Sequence, residues 1–541
     1  MMITGNIVDL ERRRIYFGEV VIRDGHVANI VEIGEERTGV SYLMSGFIDS
    51  HVHIESSQLT PANFGRMVIS HGTVGVVTDP HEIANVLGVL GVEFMLESAK
   101  ESPIRTHFTI PSSVPATPFD RSGGVLDSGD VERLAASGRF VALSEVMNVA
   151  GVLFQDEEVM SKLAVAQRYG LPSDGHAPLL TGEDLTKYAE SGITTDHECS
   201  ELAEAEAKIA AGMKIEIREG SAAKNYEALK SLIATAPDKL LFCTDDAHPE
   251  EVITAGNIDK IVRQAVADGF DLFDLLRIAS LSPIQHYRLR QGSLRVGEVA
   301  DFIEVDNLSD FTTQRVFIGG EVRYDRSQSV DREPIPTRLI NNFNHNKITT
   351  KELQRAVTAE PITIIGTIKD ELITTAESYT PPIAMENLES DIEADVAKIV
   401  YINRYHNTPP VVEYCRGFGL KRGAFASSVA HDSHNITAVG VSDEAIERAV
   451  NMIIDSRGGL ALCDGDDCDL LPLPIAGIMS DRSAEEVARD GERLQRKIAS
   501  MGCTLRSPFM TLAFMSLVVI PELKIGERGL FSYSKFNWIN K

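Results

Sequence analysis

The sequence predicts a mixed α/β protein: a (β/α)8 barrel of the TIM type, inserted in a small β-sandwich and followed by a C-terminal α+β domain. Three observations predict it. Strand-like apolar runs alternate with helical stretches through residues 46–290, the rhythm of βα units on a parallel sheet. β-rich flanks with matching turns lie on both sides of that span, at 1–45 and 291–330. A polar stretch at 331–350 then separates these from a region, 351–541, in which strand-like and helical runs mix.

The flanks justify the sandwich. Residues 18–27 read as strand, an Asp24-Gly25 turn and strand again, a strong local hairpin signal. Residues 292–305 have the same strand-and-turn character and are followed by a run at 315–322. The two ends of the chain are therefore expected to build one sandwich around an inserted middle. In that middle, eight runs end near 47–49, 74–78, 107–110, 141–144, 171–174, 193–196, 213–217 and 240–244. Eight strands in about 200 residues match a parallel barrel. The linker is read from Asp331-Arg332-Glu333-Pro334-Ile335-Pro336 and from the asparagine-rich 341–346. In the last region, 362–365 and 436–440 read as strands, and 443–455 and 484–500 as helices.

Composition bounds the partners. At 541 residues the chain exceeds one ordinary domain, and its 43% hydrophobic and 24% charged residues are those of a globular protein. A formal net charge of -27 excludes nucleic acid and anionic membrane, whose phosphates would repel it, but not a small ligand in a local pocket. No basic segment with an apolar run opens the chain, and no uncharged apolar stretch reaches the roughly 18 residues needed to span a bilayer. Six cysteines, at 199, 243, 415, 463, 468 and 503, are scattered widely, which suits reduced thiols better than a disulfide framework. Cys463 and Cys468 lack the two further thiols of a zinc site and read as incidental. A cytoplasmic protein is expected.

Catalytic groups of such a barrel collect where its strands end. The first strand runs into Asp49-Ser50-His51-Val52-His53-Ile54-Glu55. Residues i and i+2 of a strand point the same way, so His51 and His53 can grip one ion together. Glu145 follows the fourth strand, His176 the fifth, His197 the sixth, and Asp245-Asp246 the eighth. Each alone has a bland reading: a structural strand histidine, a solvated carboxylate, a satisfied core imidazole. Their shared phase in the βα repeat is what points to a site. Four imidazoles and two carboxylates suffice for two divalent cations bridged by a carboxylate and a hydroxide. Nitrogen and oxygen donors without thiolate suit Zn2+, Mn2+ or Fe2+ alike.

This constellation resembles that of the amidohydrolase superfamily. The strings His51-Val52-His53-Ile54-Glu55-Ser56-Ser57, Asp79-Pro80-His81-Glu82-Ile83-Ala84-Asn85-Val86, Asp174-Gly175-His176-Ala177-Pro178, Asp196-His197-Glu198 and Thr244-Asp245-Asp246 resemble its adenine deaminase family more closely. Beyond the barrel, Ser427-Ser428-Val429-Ala430-His431-Asp432-Ser433-His434-Asn435 and Ser507-Pro508-Phe509-Met510-Thr511 extend the likeness over nearly the whole chain. The resemblance implies hydrolysis of adenine to hypoxanthine and ammonia in purine salvage. It implies two divalent ions per chain, Mn2+ first, with Fe2+ or Zn2+ as alternatives. Their ligands would be His51, His53, Glu145, His176, His197 and Asp245, and Asp245 would also shuttle protons.

Hydantoinases and dihydroorotases, similar in architecture, commonly place a carbamylated lysine where this chain has Glu145. A carboxylate offers two bridging oxygens without carbon dioxide, which favours the deaminase over a cyclic-amide hydrolase. Cytosine, guanine or dihydroorotate as substrate is the runner-up reading, and a barrel without catalysis, serving as a scaffold, is a distant third. Glu55, Arg218 and Glu219 are expected near the purine edge, although a loop salt bridge explains Arg218 and Glu219 equally well. His81 and Glu82 are expected to orient a ligand histidine. His431-Asp432-Ser433-His434 looks metal-like, but turn hydrogen bonding accounts for it as readily. Barrels of this kind often associate, so a homo-oligomer is compatible with the sequence.

Overall fold

The computed structural model describes residues 1–221, 223–328, 333–369 and 371–539. Two compact units divide the chain. The first comprises Met1–Pro80, Met95–Ser112 and Asp127–Ile335, and the second His81–Phe94, Ser113–Leu126 and Pro336–Lys541.

The first unit opens with β1 (Met2–Asp9), β2 (Arg14–Arg23), β3 (His26–Glu35) and β4 (Tyr42–Ser45). Asp24 and Gly25 join β2 to β3 with positive φ at both positions, 50° and 76°. Two left-handed residues twist a two-residue hairpin the way its strands twist, and glycine takes the second position without a steric cost.

The barrel follows as β5 (Phe47–Val52), β6 (Thr73–Thr78), β7 (Arg105–Ile110), β8 (Phe140–Val146), β9 (Ser173–Gly175), β10 (Thr195–Asp196), β11 (Lys214–Arg218) and β12 (Leu240–Cys243). All eight expected strands are present. They pair in parallel as two arcs, β5 to β9 and β10 to β12. Single bridges close the ring, Ser173 to Ile193 on one side and Val52 to Asp245 on the other. The chain then returns to the first sheet as β13 (Phe302–Val305), β14 (Thr313–Ile318) and β15 (Glu321–Asp325).

The expected sandwich is one seven-stranded sheet, in the order β15-β14-β13-β4-β1-β2-β3. It is joined again at its far edge, where His26 bridges Val299. Its core holds Ile7, Val20, Val27, Leu43, Phe302 and Phe317, the two phenylalanines stacked with centroids 4.4 Å apart. Only residues from 302 onward form ladder strands in the return segment; 292–301 is a connection, in which Gly292 approaches the Val299 carbonyl more closely than a residue with a Cβ could.

The expected end of the composite and the start of the linker, 329–332, fall outside the described residues. Residues 334–348 lack regular structure. In the second unit β16 (Ile362–Thr367), β17 (Thr374–Tyr379), β18 (Ser390–Asp391), β19 (Val396–Ile402), β20 (Val411–Arg416), β21 (Ala424–Ser427), β22 (Ile436–Gly440), β23 (Gly459–Asp464) and β24 (Asp467–Pro472) share one mixed sheet. The helix Asp443–Ser456 lies on it through Ile446, Ala449, Val450 and Ile453, spaced three and four apart as an amphipathic face requires. Ser442 caps that helix by accepting from the Ala445 amide.

One sequence expectation fails here. Cys463 and Cys468 are bonded as a disulfide, while the other four cysteines are free and buried. The two are direct partners across the β23–β24 hairpin, and facing residues of an antiparallel pair bring their side chains within bonding reach. The five-residue spacing, read as incidental, is the span of a tight hairpin. Among the described residues no helix is long and apolar enough to cross a membrane.

Candidate metal centre

The barrel brings its expected ligands to one end. His51 is the penultimate residue of β5 and His53 follows the strand; Glu145 lies in β8; His176, His197 and Asp245 come just after β9, β10 and β12. Alternation along the strand places the His51 and His53 Nε2 atoms 3.2 Å apart. The ring closure is also a ligand clamp: the Asp245 amide donates to the His51 carbonyl at 2.9 Å, and the His53 amide to the Asp245 carbonyl at 3.0 Å. Asp245 holds a left-handed backbone, φ 57°, which aspartate tolerates better than most residues.

Glu145 stands between two groups of donors. Its Oε1 is 3.2 Å from His53 Nε2, and its Oε2 is 2.9 Å from His176 Nδ1 and 3.3 Å from His197 Nε2. On the first side, Asp245 Oδ1 lies 3.1 Å from His53 Nε2 and 3.5 Å from His51 Nε2. The ligand atoms of His51, His53 and Asp245 form one group within 4.8 Å, and those of Glu145, His176 and His197 another. The His51 and His197 rings stack with centroids 4.3 Å apart, tying the two groups. All six residues are buried or nearly so.

Local structure fixes these positions. Gly175 precedes His176 where a Cβ would sit 2.5 Å from the Thr195 carbonyl, so only glycine lets the two strand ends approach. Lys208, fully buried, donates to Asp196 Oδ2 at 2.5 Å, Glu204 Oε1 at 2.7 Å and the Ala177 carbonyl at 2.7 Å. Asp196 in turn accepts from the Ala177 amide at 2.9 Å. One cation thus holds the residue after His176 and the residue before His197 in register.

Electrostatics favour charged donors here. Burial alone would raise Glu145, but His176, His197 and His53 around it hold its carboxyl well below the ordinary range. Burial likewise opposes ionisation of Asp245, and the Arg218 guanidinium with the histidine pair overcomes it. His176, which burial would depress, is lifted to about 9 by Glu198 and Glu145. A metal-free cluster therefore holds protons that a cation would displace.

The residues expected at the purine edge divide. Arg218 bonds two carboxylates, Glu198 in a very short contact and Asp245 Oδ2 at 2.5 Å. Glu219 accepts from the Tyr226 amide at 3.3 Å, with its own carbonyl taking Lys260 Nζ at 3.0 Å. Glu55 is buried in the short turn Ile54–Ser57 directly after the histidine pair. His81 and Glu82 open the helix His81–Leu87 in the second unit, with His431, Asp432 and His434 around Glu82.

Two residues were missed. Glu198 lies 3.6 Å from His176 Nδ1 and 3.4 Å from His197 Nε2, and with Arg218 beside it its carboxyl is held at about 2 despite burial. Its signal was present in Asp196-His197-Glu198, a carboxylate directly after a ligand histidine. Glu216 lies 3.9 Å from His197 Nδ1, fully buried, and shares the Tyr287 hydroxyl with Asp174. Alternation placed it on the inner face of β11, but nothing in the sequence separates it from a core strand position.

Comparison with known proteins gives a consistent set. A profile described as the amidohydrolase family matches residues 42–323, and one described as the adenine deaminase C-terminal domain matches 371–537. An adenine deaminase from Methanosarcina mazei is 45% identical over 549 residues, covering 99% of this chain and 98% of its own. One from a Sulfurovum species is 46% identical over 544 residues, covering 100% and 99%. One from Parabacteroides distasonis is 44% identical over 540 residues, covering 99% and 98%.

Proposed function

We propose that this chain, which belongs to the adenine deaminase family of the amidohydrolases, hydrolyses adenine to hypoxanthine and ammonia. The observation that carries the reading is Glu145, a single carboxylate with one oxygen on each of two groups of imidazoles. His51, His53 and Asp245 would hold one divalent ion, His176 and His197 a second, and Glu145 both. Mn2+ is the ion proposed first, and Fe2+ or Zn2+ suit the same nitrogen and oxygen donors. The fit rests on six donors, five of them buried and His176 nearly so, with no thiolate and no amine among them. When bound, such a pair of ions lowers the pKa of water from 15.7 towards neutrality and so supplies the nucleophile.

The protein's own groups do the rest. Water adds its oxygen to carbon 6 of the purine, the bond from carbon 6 to the exocyclic nitrogen breaks, and that nitrogen leaves as ammonia. Asp245 turns Oδ1 to the histidine pair and Oδ2 to Arg218, so Oδ2 is the atom that would carry the proton from water to the leaving nitrogen. Arg218 keeps that oxygen ionised between turnovers. A positioned shuttle of this kind contributes typically about 10²–10⁴-fold in rate. His176 and Glu198 are the open side of the cluster, 12% and 16% exposed against 1% for His197. The purine would enter there, with Glu198 accepting from one of its N–H groups.

Purine salvage and residence in the cytoplasm belong to the same proposal. The disulfide narrows the thiol argument for the latter to the four free cysteines, and cell fractionation tests it. The test of function is full-length protein loaded with Mn2+ and offered adenine, cytosine, guanine and dihydroorotate. The reading requires one ammonia and one hypoxanthine per adenine consumed. Metal-loaded protein that leaves adenine untouched while acting on another of the four would overturn it in favour of that substrate.

A further inference from the structure

The second unit contains a buried group of donors besides the six assigned to the barrel centre. His81 and Glu82 begin the helix His81–Leu87, and the loop after β21 supplies His431, Asp432 and His434. All five are at most 4% exposed. Glu82 is their centre. Its Oε1 lies 2.7 Å from His431 Nδ1 and 3.5 Å from His81 Nε2, and its Oε2 contacts His434 Nε2. Asp432 Oδ1 lies 3.9 Å from His81 Nε2 and 3.8 Å from His431 Nδ1.

Ion pairing alone explains these contacts poorly. One carboxylate neutralises one imidazolium, yet three imidazole nitrogens converge on Glu82. Glu82 Oε2 and His434 Nε2 touch, but neither has a hydrogen bond of acceptable geometry. The ligand atoms of His81, Glu82 and Asp432 lie within 4.8 Å of one another, close enough to share one ion. Two ligands each about 2.1 Å from a cation lie roughly 3.0–4.2 Å apart, depending on their angle; His81 Nε2 and Glu82 Oε1, at 3.5 Å, fall within that span, whereas Glu82 and His431, at 2.7 Å, are hydrogen-bonded. Separations of 3.8 and 3.9 Å are too long for hydrogen bonds but fall within that span.

The surroundings hold the donors in place. The His431 amide donates to the Ala513 carbonyl at 3.0 Å, the His434 amide to the Ala430 carbonyl at 2.7 Å, and the Tyr405 hydroxyl to the Ser433 carbonyl at 2.6 Å. On the helix, Asn85 Nδ2 donates to the His81 carbonyl at 3.0 Å. Fixed ligands with fixed supports are the mark of a built metal site rather than a loose polar cluster.

We infer that His81, Glu82, His431, Asp432 and His434 form a further binding site for one divalent transition-metal ion, in the second unit. Three imidazoles and two carboxylates suit Mn2+, Fe2+ or Zn2+. Such an ion would fasten the segment His81–Phe94 to the loop that carries His431 and His434.

The test counts ions on the full chain. Protein stripped with chelator is reloaded with Mn2+ alone, dialysed, and assayed for bound manganese by mass spectrometry, then again with Zn2+. Wild type is expected to hold three ions per chain, His431→Ala/His434→Ala two, and His51→Ala/His53→Ala one or two. A variant that also carries Glu145→Gln, His176→Ala and His197→Ala, with the second unit untouched, is expected to keep one. Mn2+ should raise its melting temperature, and adding His431→Ala/His434→Ala should abolish that rise. An unchanged ion count in His431→Ala/His434→Ala, or no ion in the variant lacking the barrel ligands, would overturn the inference. Because this count needs no turnover, it stands or falls separately from adenine hydrolysis.

Discussion

Replacing Glu145 with glutamine keeps the shape of the side chain and removes its charge. The carboxylate lies 3.2, 2.9 and 3.3 Å from nitrogens of His53, His176 and His197. Two unit charges about 3 Å apart at an effective dielectric of about 20 attract by about 5 kcal/mol. Glutamine forfeits attraction of that order towards an ion, although its amide oxygen can still coordinate. It also escapes part of the cost of burying a carboxylate, several kcal/mol, so the net loss is about 2–4 kcal/mol per ion. That corresponds to roughly 30- to 1,000-fold weaker metal binding. The assay is equilibrium dialysis with Mn2+ followed by ammonia release from adenine. Affinity should fall within that range, and activity should recover in part at high Mn2+. Glu145→Gln protein that binds two ions as tightly as wild type would refute the placement of this residue between two ions.

Three other perturbations test the surrounding structure. Arg218→Ala frees Asp245 and Glu198, whose carboxyls it holds down, so the acid limb of the pH–rate profile should move up by a unit or more; an unmoved limb contradicts the role given to Arg218. Lys208→Met strands the buried Asp196 carboxylate, and breaking such a pair should cost about 3–5 kcal/mol in urea unfolding; a loss under about 1 kcal/mol would show that Lys208 is not the clamp between β9 and β10. In metal-stripped protein, three groups of the barrel lose stabilisation as pH rises. Burial pushes Asp174 up to about 7 and Asp49 up to about 6, and His176 is lifted to about 9 against its burial. Groups raised on folding stabilise fully below their unfolded values, about 3.9 for aspartate and 6.5 for histidine, and lose that contribution as pH passes the folded ones. His434 and His286, which burial pushes down to about 4 and about 3, act with the opposite sign up to about pH 6.5, so the test is a difference: Asp174→Asn should remove a falling component of the melting temperature between about pH 4 and 7, and a profile unchanged from the parent there contradicts the assignment.

The site was legible because a barrel converts position along the chain into position in space. Once eight strand ends were located, His51, His53, Glu145, His176, His197 and Asp245 fell on one rim whatever the exact strand limits. β9 and β10 are only three and two residues long, yet the histidines after them were placed. Side-chain partners were less legible. Arg218 reads in sequence as a purine contact or, equally well, as a loop salt bridge, and only the fold brings it between Glu198 and Asp245. His81–Phe94 and Ser113–Leu126 sit within a span that reads as continuous barrel, yet they group with the second unit. That grouping depends on packing against residues more than 300 positions away, such as Glu82 on His431 and His434, which no local pattern encodes. The Cys463–Cys468 bond was missed for a related reason: the pairing register of β23 and β24, not the spacing, decides it.

Diffraction from Mn2+-loaded crystals, recorded at the manganese absorption edge, tests the two-ion centre most directly. The account predicts two anomalous peaks in the barrel, one within bonding distance of His51, His53 and Asp245, the other of His176 and His197, with Glu145 reaching both. A single peak, or two peaks that leave Glu145 unbound, would contradict it.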